Sequence, residues 1–369
     1  VAEKVVKRAY KYRFYPTDEQ AAELSRTFGC VRLVWNKALA ERTRAYAVER
    51  RKTTYVQASA ALTEWKRSKE LAFLNEVSSV PLQQTLRHQQ TAYANFFSKR
   101  AKYPRFKSRK KSRASAEYTR SGFRWRNGQL TLAKMTTPLD MRWSRPLPDG
   151  AEPSTVTVSC DSAGRWHVSI LVETTIGALP KTGSMVGVDV GLTSLAALSH
   201  GEKIVNPRHE RRDRRKLAKA QRELSRKEKG SNNRDKARRK VARTYARIAD
   251  RRTDFLHKLS TRLIRENQAM AIEDLTVRNM LANHNLARAI SDGAWRQLRT
   301  MLEYKADWYG RDILVVDRWF PSSKLCSECG ALVEQLPLNI RQWTCRCGAV
   351  HDRDINAAKN ILAAGLAER

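Results

Sequence analysis

The chain has 369 residues, with 71 Lys and Arg against 37 Asp and Glu, so its formal net charge is +34 at pH 7. The length allows two or three domains, and a hydrophobic content of 41% is enough for ordinary cores, which argues against a disordered or fibrous chain. The sequence has neither a long apolar run nor an apolar N-terminal core, so we expect a cytoplasmic protein without a membrane partner. So large a positive charge predicts a polyanionic partner, most simply nucleic acid bound through its phosphates.

The first segment is predicted to be a strand. From Ala9 to Phe14, aromatic and basic residues alternate, which is typical of a half-buried strand with a cationic outer face. Thr17 and Gln20 then form a capping box, which predicts the start of a helix. An apolar stripe that ends at Trp35 follows at helical spacing, so we expect Trp35 to pack in a core.

Two further helices are predicted at 55–69 and 82–99, so residues 17–100 are interpreted as a small helical domain. The segment 99–120 holds ten Lys and Arg and one acid, interleaved with aromatic residues. Basic side chains neutralise phosphates, and aromatic faces stack on unpaired bases. This segment and the first strand therefore supply the candidate nucleic-acid-binding residues, which are Lys11, Arg13, Tyr103, Arg105, Lys107, Arg109 and Lys110.

Strand signals return after this basic segment. A hairpin is predicted at 123–132, because an Asn-Gly pair favours a tight turn between two short strands. A second hairpin is predicted at 156–173. Residues 1–16 and roughly 121–175 are therefore interpreted as one β-rich body into which the helices are inserted.

The second half of the chain alternates strands with helices. Met185–Gly191 is a short apolar run that carries one carboxylate, and two more short strands follow it. A strongly basic helical hairpin comes next, since residues 210–252 hold 19 Lys and Arg against 6 acids and a break is predicted at 230–233. A strand at 269–272, a helix, a strand at 313–316 and a final helix complete the series. This order of elements predicts a ribonuclease-H-like fold.

Three acids occupy informative positions in this order: Asp189 within the first strand, Glu273 at the end of the fourth and Asp354 at the start of the last helix. A carboxylate inside an apolar strand is costly unless it binds something. Three that meet at one sheet edge could hold two Mg²⁺ ions about 4 Å apart, one to activate water and one to stabilise the leaving oxygen in phosphodiester cleavage. Three alternatives stay open here. Asp189 could be a structural buried acid. Glu273 could be an ordinary strand-end charge, and Asp354 or its neighbour Asp352 could be no more than a helix N-cap.

Four cysteines form a cluster in the sequence, as Cys326-x₂-Cys329 and, after fifteen residues, Cys345-x-Cys347. In a cytosolic chain, such a cluster favours metal ligation over disulfide formation. Two close pairs of thiolates suit one tetrahedral Zn²⁺ in a zinc ribbon. The second pair is one residue shorter than the usual knuckle, so His351 stays open as an alternative ligand.

Short motifs are distributed along nearly the whole chain. They are Lys11–Thr17 with Glu19-Gln20, Trp35-Asn36, Tyr103–Lys107, Gly187–Gly191, Ile272–Leu275, Pro321–Cys326 and His351–Ala358. Together they resemble the TnpB family, whose members are transposon-encoded RNA-guided nucleases regarded as ancestors of type V CRISPR effectors.

The resemblance implies a multidomain α+β chain. A β-barrel wedge domain with an inserted helical domain would precede an RNase-H-like (RuvC) α/β nuclease domain with an inserted zinc ribbon that binds target nucleic acid. The implied boundaries are 1–16 and 101–182 for the wedge, 17–100 for the helical domain, 183–320 and 351–369 for RuvC, and 321–350 for the ribbon. The resemblance also implies that Asp189, Glu273 and Asp354 are the catalytic triad. Asp354 is preferred to Asp352 because it stands two residues before Asn356 in its motif.

The resemblance further implies an RNA-guided DNA endonuclease of a transposable element that cuts DNA beside a short flanking motif. Its cofactors would be two Mg²⁺ and one structural Zn²⁺. Its partners would be a transposon-derived guide RNA and a double-stranded DNA target, with one protein copy per complex at a prokaryotic nucleoid.

Two other hypotheses are considered. A nuclease-inactive, guide-bound DNA-binding regulator would be marked by the loss of one triad acid, and all three are present. A DDE-type transposase would catalyse strand transfer itself. That class usually has Glu as its last acid, whereas the order here is Asp, Glu, Asp.

Overall fold

The computed structural model describes residues 3–337 and 339–368, so positions 1, 2, 338 and 369 of the predicted domains lie outside the described residues. The chain forms two compact units. The first unit spans Val5–Thr174, and the second comprises the chain from Thr175 onward together with Glu3 and Lys4. The finer division into wedge, helical, nuclease and ribbon domains stays a prediction.

The first unit contains the helices expected from the apolar stripes. Thr17 caps the first of them, since its side chain accepts a hydrogen bond from the Gln20 N–H and the Gln20 side chain accepts one from the Thr17 N–H. The predicted capping box is therefore confirmed. The helices are α1 (Asp18–Glu49), α2 (Tyr55–Arg67) and α3 (Ser79–Phe97), with short 3-10 helices at Lys69–Asn75 and Arg120–Gly122.

The strands of this part of the chain form a five-stranded sheet and a separate two-stranded hairpin. The strands are β1 (Glu3–Phe14), β2 (Ala114–Thr119), β3 (Phe123–Arg126), β4 (Gln129–Leu132), β5 (Met141–Arg142), β6 (Pro153–Cys160) and β7 (Trp166–Gly177). The sheet order is β2-β6-β7-β1-β5, and β3 pairs with β4. Both predicted hairpins are present, and the positive φ angles of Asn127 and Gly128 form the first turn. Closure of the sheet into a barrel stays a prediction.

The alternation in β1 is realised as predicted. Tyr10, Tyr12 and Phe14 are buried in the core of the first unit, whereas Lys11 is exposed and Arg13 is half-buried. The strand therefore has one apolar face and one cationic face.

The second unit is built on the sheet that the sequence predicts. Its strands are β8 (Met185–Val190), β9 (Ser194–Leu198), β10 (Lys203–Val205), β11 (Ala269–Glu273) and β12 (Asp312–Val316). The order is β10-β9-β8-β11-β12, with antiparallel pairing from β8 to β10 and parallel pairing from β8 through β11 to β12. This arrangement has the element order from which the sequence predicts a ribonuclease-H-like fold.

Helices and a small hairpin complete the second unit. The helices are α4 (His209–Ser225), α5 (Asn232–Glu266), α6 (Val277–Met280), α7 (Ala287–Gly293), α8 (Trp295–Tyr309) and α9 (Arg353–Ala367). The break between α4 and α5 falls at the predicted position, where Gly230 has a φ of 95° and Ser231 caps α5. The cysteine-rich segment carries β13 (Gln342–Thr344) and β14 (Val350–Asp352). Among the described residues, no helix is long and apolar enough to cross a membrane.

Helix α9 packs closely on the sheet because two glycines leave no side chain in the contact. A Cβ at Gly187 in β8 would lie 1.9 Å from the carbonyl oxygen of Ala358. A Cβ at Gly365 in α9 would lie 2.9 Å from the Cβ of Ala271 in β11. Such short separations are not tolerated, so these glycines set the position of α9 over the two central strands.

Candidate functional site

Asp189 and Glu273 lie beside each other at one edge of the second sheet. Asp189 is the penultimate residue of β8 and Glu273 is the last residue of β11. The two strands are parallel, with Val188 opposite Ile272, so the residues that follow these two point to the same face. Asp354 stands in the first turn of α9, which packs on both strands. The structure therefore brings the three predicted acids together.

The electrostatics of these carboxyl groups reflect their proximity. Burial raises the pKa of Asp189 well above its usual value, and the nearby charges of Glu273 and Asp354 raise it further. Burial also raises the pKa of Glu273, against the opposing effect of a hydrogen bond from the Ser322 hydroxyl. Carboxylates that repel one another in a partly buried place offer a donor set for hard divalent cations.

Asp352 and Asp354 differ in what they contact. Asp352 is the N-cap of α9, and its carboxylate accepts hydrogen bonds from the N–H groups of Asp354 and Ile355, both at 3.1 Å. It also pairs with Lys203 at 2.6 Å. Asp354 makes longer contacts, with Arg341 at 3.3 Å and with Lys203 at 3.8 Å. The N-cap role that the sequence left open therefore belongs to Asp352.

The segment before the cysteines is fixed to α9 by side chains that the sequence analysis missed. Asn356 accepts a hydrogen bond from the Ser327 N–H at 2.9 Å and donates to the Leu325 carbonyl at 2.7 Å. Asn360 donates to the carbonyl groups of Ser322 and Leu325. The signal in the sequence was a pair of asparagines at i and i+4 on the buried face of an otherwise apolar helix.

The four predicted cysteines also come together. Their sulfur atoms all lie within 4.8 Å of one another. The Sγ atoms of Cys326 and Cys347 are 3.8 Å apart, and those of Cys329 and Cys345 are 3.6 Å apart. In a tetrahedral site with zinc–sulfur bonds of about 2.3 Å, the sulfur atoms lie about 3.8 Å apart. The cluster is thus compatible with a structural zinc, and the short Cys345-x-Cys347 spacing does not prevent its assembly.

His351 lies against this cluster and is buried. Its Nε2 is 3.0 Å from Cys326 Sγ, which is within hydrogen-bonding distance, and its ring centroid is 4.7 Å from that of Trp343. His351 is thus within hydrogen-bonding distance of one thiol of the cluster, and its role as an alternative ligand stays a prediction.

The charges of the thiols are strongly coupled. Burial opposes ionisation of Cys326, but backbone N–H groups and His351 outweigh it and lower the pKa of that thiol to about 6. The Ala331 N–H favours ionisation of Cys329, but its thiol neighbours outweigh that effect and raise its pKa to about 12. One thiolate thus hinders formation of the next, and a divalent cation would remove this repulsion.

In the first unit, Trp35 and Asn36 hold the basic segment in place. The indole N–H of Trp35 donates to the carbonyl of Arg105 at 2.9 Å. The Asn36 side chain makes two hydrogen bonds with the backbone of Lys107, at 2.7 and 2.8 Å. The Lys107 ammonium lies 3.9 Å from the centre of the Trp35 ring, and burial lowers the pKa of Lys107. Trp35 is buried as predicted, but its role in positioning this segment was missed.

Most of the candidate nucleic-acid-binding side chains face solvent. Tyr103 is exposed, although its hydroxyl lies within hydrogen-bonding distance of the Thr43 and Tyr93 hydroxyls. Lys107 and Arg13 are half-buried. The fully exposed candidates are Lys11, Arg105, Arg109 and Lys110.

A groove of about 510 Å³ lies beside this segment, between α1 and β2. Phe28 and Trp166 line part of it. The basic residues that line it are Arg26, Arg32, Lys107, Arg109 and Arg113. The first two lie on α1 and were not selected by the sequence analysis. An aromatic wall with a basic rim is a suitable surface for a nucleic-acid strand.

A second basic cleft, of about 420 Å³, lies between α4 and α5. Five of the basic residues of this helical hairpin therefore face one another across the cleft. Those that line it are Lys216, Lys219, Lys240, Arg243 and Arg247.

The second unit thus combines a mixed five-stranded sheet, with helices packed on it, and three carboxyl groups that lie close together. Three family models match the chain: "Probable transposase" at residues 167–284, "Cas12f1-like, TNB domain" at 295–361 and "Helix-turn-helix domain" at 6–52. In the last of these segments, the structure has β1 followed by the single long helix α1.

Curated relatives match along almost the whole chain. A "Putative RNA-guided DNA endonuclease" of Streptomyces pristinaespiralis is 75% identical over 362 residues, which cover 98% of this chain and 90% of the relative. The "Putative RNA-guided DNA endonuclease InsQ" of Escherichia coli K12 is 34% identical, over 98% of this chain and 92% of the relative. The chain belongs to the TnpB family, so the resemblance read from the motifs is confirmed.

A solved structure supports the fold. The cryo-EM structure titled as a Cas12f1–sgRNA–target DNA complex aligns with a TM-score of 0.61 over 97% of this chain and 98% of that chain. The sequence identity is 13%, so this likeness concerns the fold alone.

Proposed function

We propose that this protein is an RNA-guided DNA endonuclease of a transposable element, which cuts DNA beside a short flanking motif. The observation that carries the proposal is the convergence of Asp189, Glu273 and Asp354 at one sheet edge, where burial and mutual repulsion raise the pKa of Asp189. The printed names of two near-full-length relatives favour the same activity. All three acids are retained, which argues against a nuclease-inactive regulator.

The three carboxylates would hold two Mg²⁺ ions. When bound, such ions activate water and stabilise the leaving oxygen of a phosphodiester. The chain's own residues would keep the carboxylates in place. Ser322 orients Glu273 by donating a hydrogen bond to it, and the N-cap Asp352 fixes the first turn of α9, on which Asp354 stands.

The cysteine cluster would hold one structural Zn²⁺. The cluster ties residues 326–329 to residues 345–347, and Asn356 and Asn360 tie the segment that precedes it to α9. Elemental analysis should find one zinc per chain. A Cys345→Ser/Cys347→Ser double variant that kept a full complement would show that these two thiols are not ligands.

The guide RNA and the DNA target would bind the basic surfaces. Both units present one: the groove beside α1 in the first and the α4–α5 cleft in the second. In RNA-guided systems, base pairing reads the sequence, while the protein grips the heteroduplex through its backbone and reads only a short duplex motif. Exposed cationic side chains with interleaved aromatic rings suit binding of a nucleic-acid backbone without reading its sequence. The ribonucleoprotein would contain a single protein copy.

The test is cleavage by purified ribonucleoprotein of a duplex library with a fixed target and a randomised flank. The wild type should cut a subset of the library that shares a flanking motif, and Asp189→Ala should cut none of it while still binding the target. A matched control is Glu202→Gln, which removes an acid of the same unit that pairs with Arg262. Joined rather than cut DNA ends would instead indicate a strand-transferring transposase.

A further inference from the structure

Trp319 has an unusual environment for a tryptophan. Its side chain is 84% exposed, which makes it the most exposed of the large hydrophobic residues that the structure describes. Tryptophan usually buries most of its surface, because leaving so large an apolar ring in water forfeits a large hydrophobic stabilisation. A ring this exposed leaves its π-face accessible for stacking on a ligand.

The residues on both sides of Trp319 are held by two consecutive carboxylates, those of Glu273 in the candidate site and of its neighbour Asp274. Arg318 binds Asp274, the neighbour of Glu273, and donates to the Thr276 hydroxyl at 2.6 Å. Three residues after Trp319, the Ser322 hydroxyl donates to Glu273 itself. The indole is thus held out toward solvent from a segment whose two ends are fixed next to the acids.

The backbone of Trp319 is fixed as well. Its N–H donates to the Asp317 carboxylate at 2.8 Å. The next residue, Phe320, turns the other way and packs against the buried side chains of Val316 and Ile361. Of two consecutive aromatic residues, one stabilises the fold and the other is left for a ligand.

A cavity of about 450 Å³ lies beside this segment, and Arg318 and Glu273 are among the residues that line it. Arg318 lines one part of it, and apolar side chains such as Val188 and Leu298 line another. Arg299 and Arg318 both pair with Asp274, and Arg299 also pairs with Glu303. The other two arginines of the lining have no acidic partner among the residues that the structure describes, and they are Arg278 and Arg296.

We propose that Trp319 stacks on an unpaired base of the DNA strand that enters the carboxylate site. Beyond that base, Arg278 and Arg296 contact the phosphates of the strand. Stacking on an aromatic ring is tolerant of sequence, because every base has a π-face. That property suits an enzyme whose target sequence is read by a guide. Trp319 is a positioning residue in this account, which rests on the proposed function.

The first test compares three substitutions at Trp319 in the assembled ribonucleoprotein. Trp319→Ala should leave binding of the matched duplex unchanged, because guide pairing carries it, and should slow single-turnover cleavage about 5- to 150-fold. Trp319→Phe keeps a ring and should stay close to wild type. Trp319→Leu keeps apolar area without a π-face and should resemble Trp319→Ala. Equal rates for Ala and wild type, or equal impairment of Phe and Ala, would overturn the proposal.

An abasic scan of the DNA strand separates stacking from a merely structural role. In the wild type, removal of one particular base should slow cutting by about the factor that Trp319→Ala produces. In the Trp319→Ala variant, the same abasic site should have no further effect. If the abasic site slowed cutting by the same factor in the Trp319→Ala variant as in the wild type, the two effects would be independent and the ring would not contact that base.

A readout without cleavage keeps this inference distinct from the proposed function. In an Asp189→Ala background, a DNA strand that carries 5-iododeoxyuridine should photocrosslink to Trp319, as identified by mass spectrometry. If wild-type protein cuts no guide-matched duplex, the proposed function fails, and the crosslink can still be tested with single-stranded DNA. If the wild type cuts but no crosslink to Trp319 forms at any position, the inference fails alone.

Discussion

Asp352 and Asp354 stand two positions apart, yet the structure gives them different surroundings. The carboxylate of Asp352 accepts hydrogen bonds from two backbone N–H groups and pairs with Lys203. Asp354 lies near Asp189 and Glu273 instead. A group that caps a helix contributes stability, and a group that faces other carboxylates contributes chemistry.

Substitutions of the two acids should therefore have different effects on cleavage and on stability. Asp354→Asn removes a charge from the site and should abolish cleavage with little change in melting temperature. Asp352→Asn keeps a good N-cap and should retain most of the activity. Asp352→Ala should destabilise the protein by about 0.5–2 kcal/mol, the usual cost of losing an N-cap. Cleavage assays and thermal unfolding give both readouts, and the reverse ranking of Asp352→Asn and Asp354→Asn would show that Asp352 is the site residue.

The pKa of Asp189 leads to a stability prediction in metal-free protein. Because its pKa is raised in the folded state, the folded chain binds more protons than the unfolded chain between the ordinary and the raised value. Stability therefore falls as pH rises through that window, and the full penalty remains above it. Asp189→Asn should raise the melting temperature in chelator at pH 8, and the gain should shrink as pH falls toward 4.

Asp274→Asn is the matched control for this effect. A hydrogen bond from Arg299 lowers the pKa of Asp274, so its charge stabilises the folded state at neutral pH. Its removal should leave the melting temperature unchanged or reduce it. If Asp189→Asn and Asp274→Asn change the melting temperature at pH 8 in the same direction, then the charge of Asp189 does not destabilise the metal-free protein, and the prediction is wrong.

At the scale of elements, the site depends on how closely α9 approaches β8. A Cβ at position 187 would collide with the carbonyl oxygen of Ala358 at 1.9 Å, and backbone cannot move aside as a side chain can. Gly187→Ala should therefore separate the helix from the strand, lower the melting temperature and reduce cleavage by orders of magnitude. Gly183→Ala is the control, since nothing lies within 4 Å of its Cβ position. Equal behaviour of the two variants would show that the α9–β8 contact does not set the site.

The contact between α1 and the basic segment should control RNA binding. Asn36→Ala removes both hydrogen bonds to the backbone of Lys107, each worth about 0.5–1.5 kcal/mol. We expect faster proteolysis within residues 103–110 and a several-fold weaker affinity for guide RNA, measured by filter binding. Thr43→Val, which removes one hydroxyl contact to Tyr103, is a milder control. Unchanged affinity in Asn36→Ala would mean that this segment does not bind the RNA in its fixed form.

Local patterns were enough to predict the principal elements. Alternation predicted β1, the apolar run predicted β8 with Asp189 inside it, and the two cysteine pairs predicted the cluster. They could not predict the contacts that organise the site, because these join residues far apart in sequence. Ser322 and Glu273 are 49 residues apart, and Trp35 and Arg105 are 70 apart. Periodicity reports which face of an element is buried, but not which distant group meets it.

Short elements were also beyond sequence patterns. Strand β5 has two residues and helix α6 has four, too few to show a period. Arg26 and Arg32 were overlooked for a related reason. They lie on a helix, where a local pattern cannot distinguish a solvated basic residue from one in a groove, and only the fold shows that they form a groove with residues from the basic segment.

For the whole molecule, the net charge of +34 is explained by surfaces rather than by disorder. Each unit has its own core and its own basic surface, and the second unit also carries the three acids. A guide-dependent nuclease needs these features, since positive charge binds the RNA, base pairing selects the DNA, and carboxylates would hold the metal ions that promote its cleavage.

The most direct measurement of that claim exchanges the guide. Ribonucleoprotein is assembled with two RNAs that differ only in the guide segment, and each is incubated with duplexes that match one guide or the other. Each complex should cut only the duplex that matches its guide, Asp189→Ala complexes should cut neither, and RNase treatment before DNA is added should abolish cutting. RNase-treated protein that still cuts one specific duplex site as well as untreated protein would contradict the account, and the chain would then be a conventional metal-dependent nuclease.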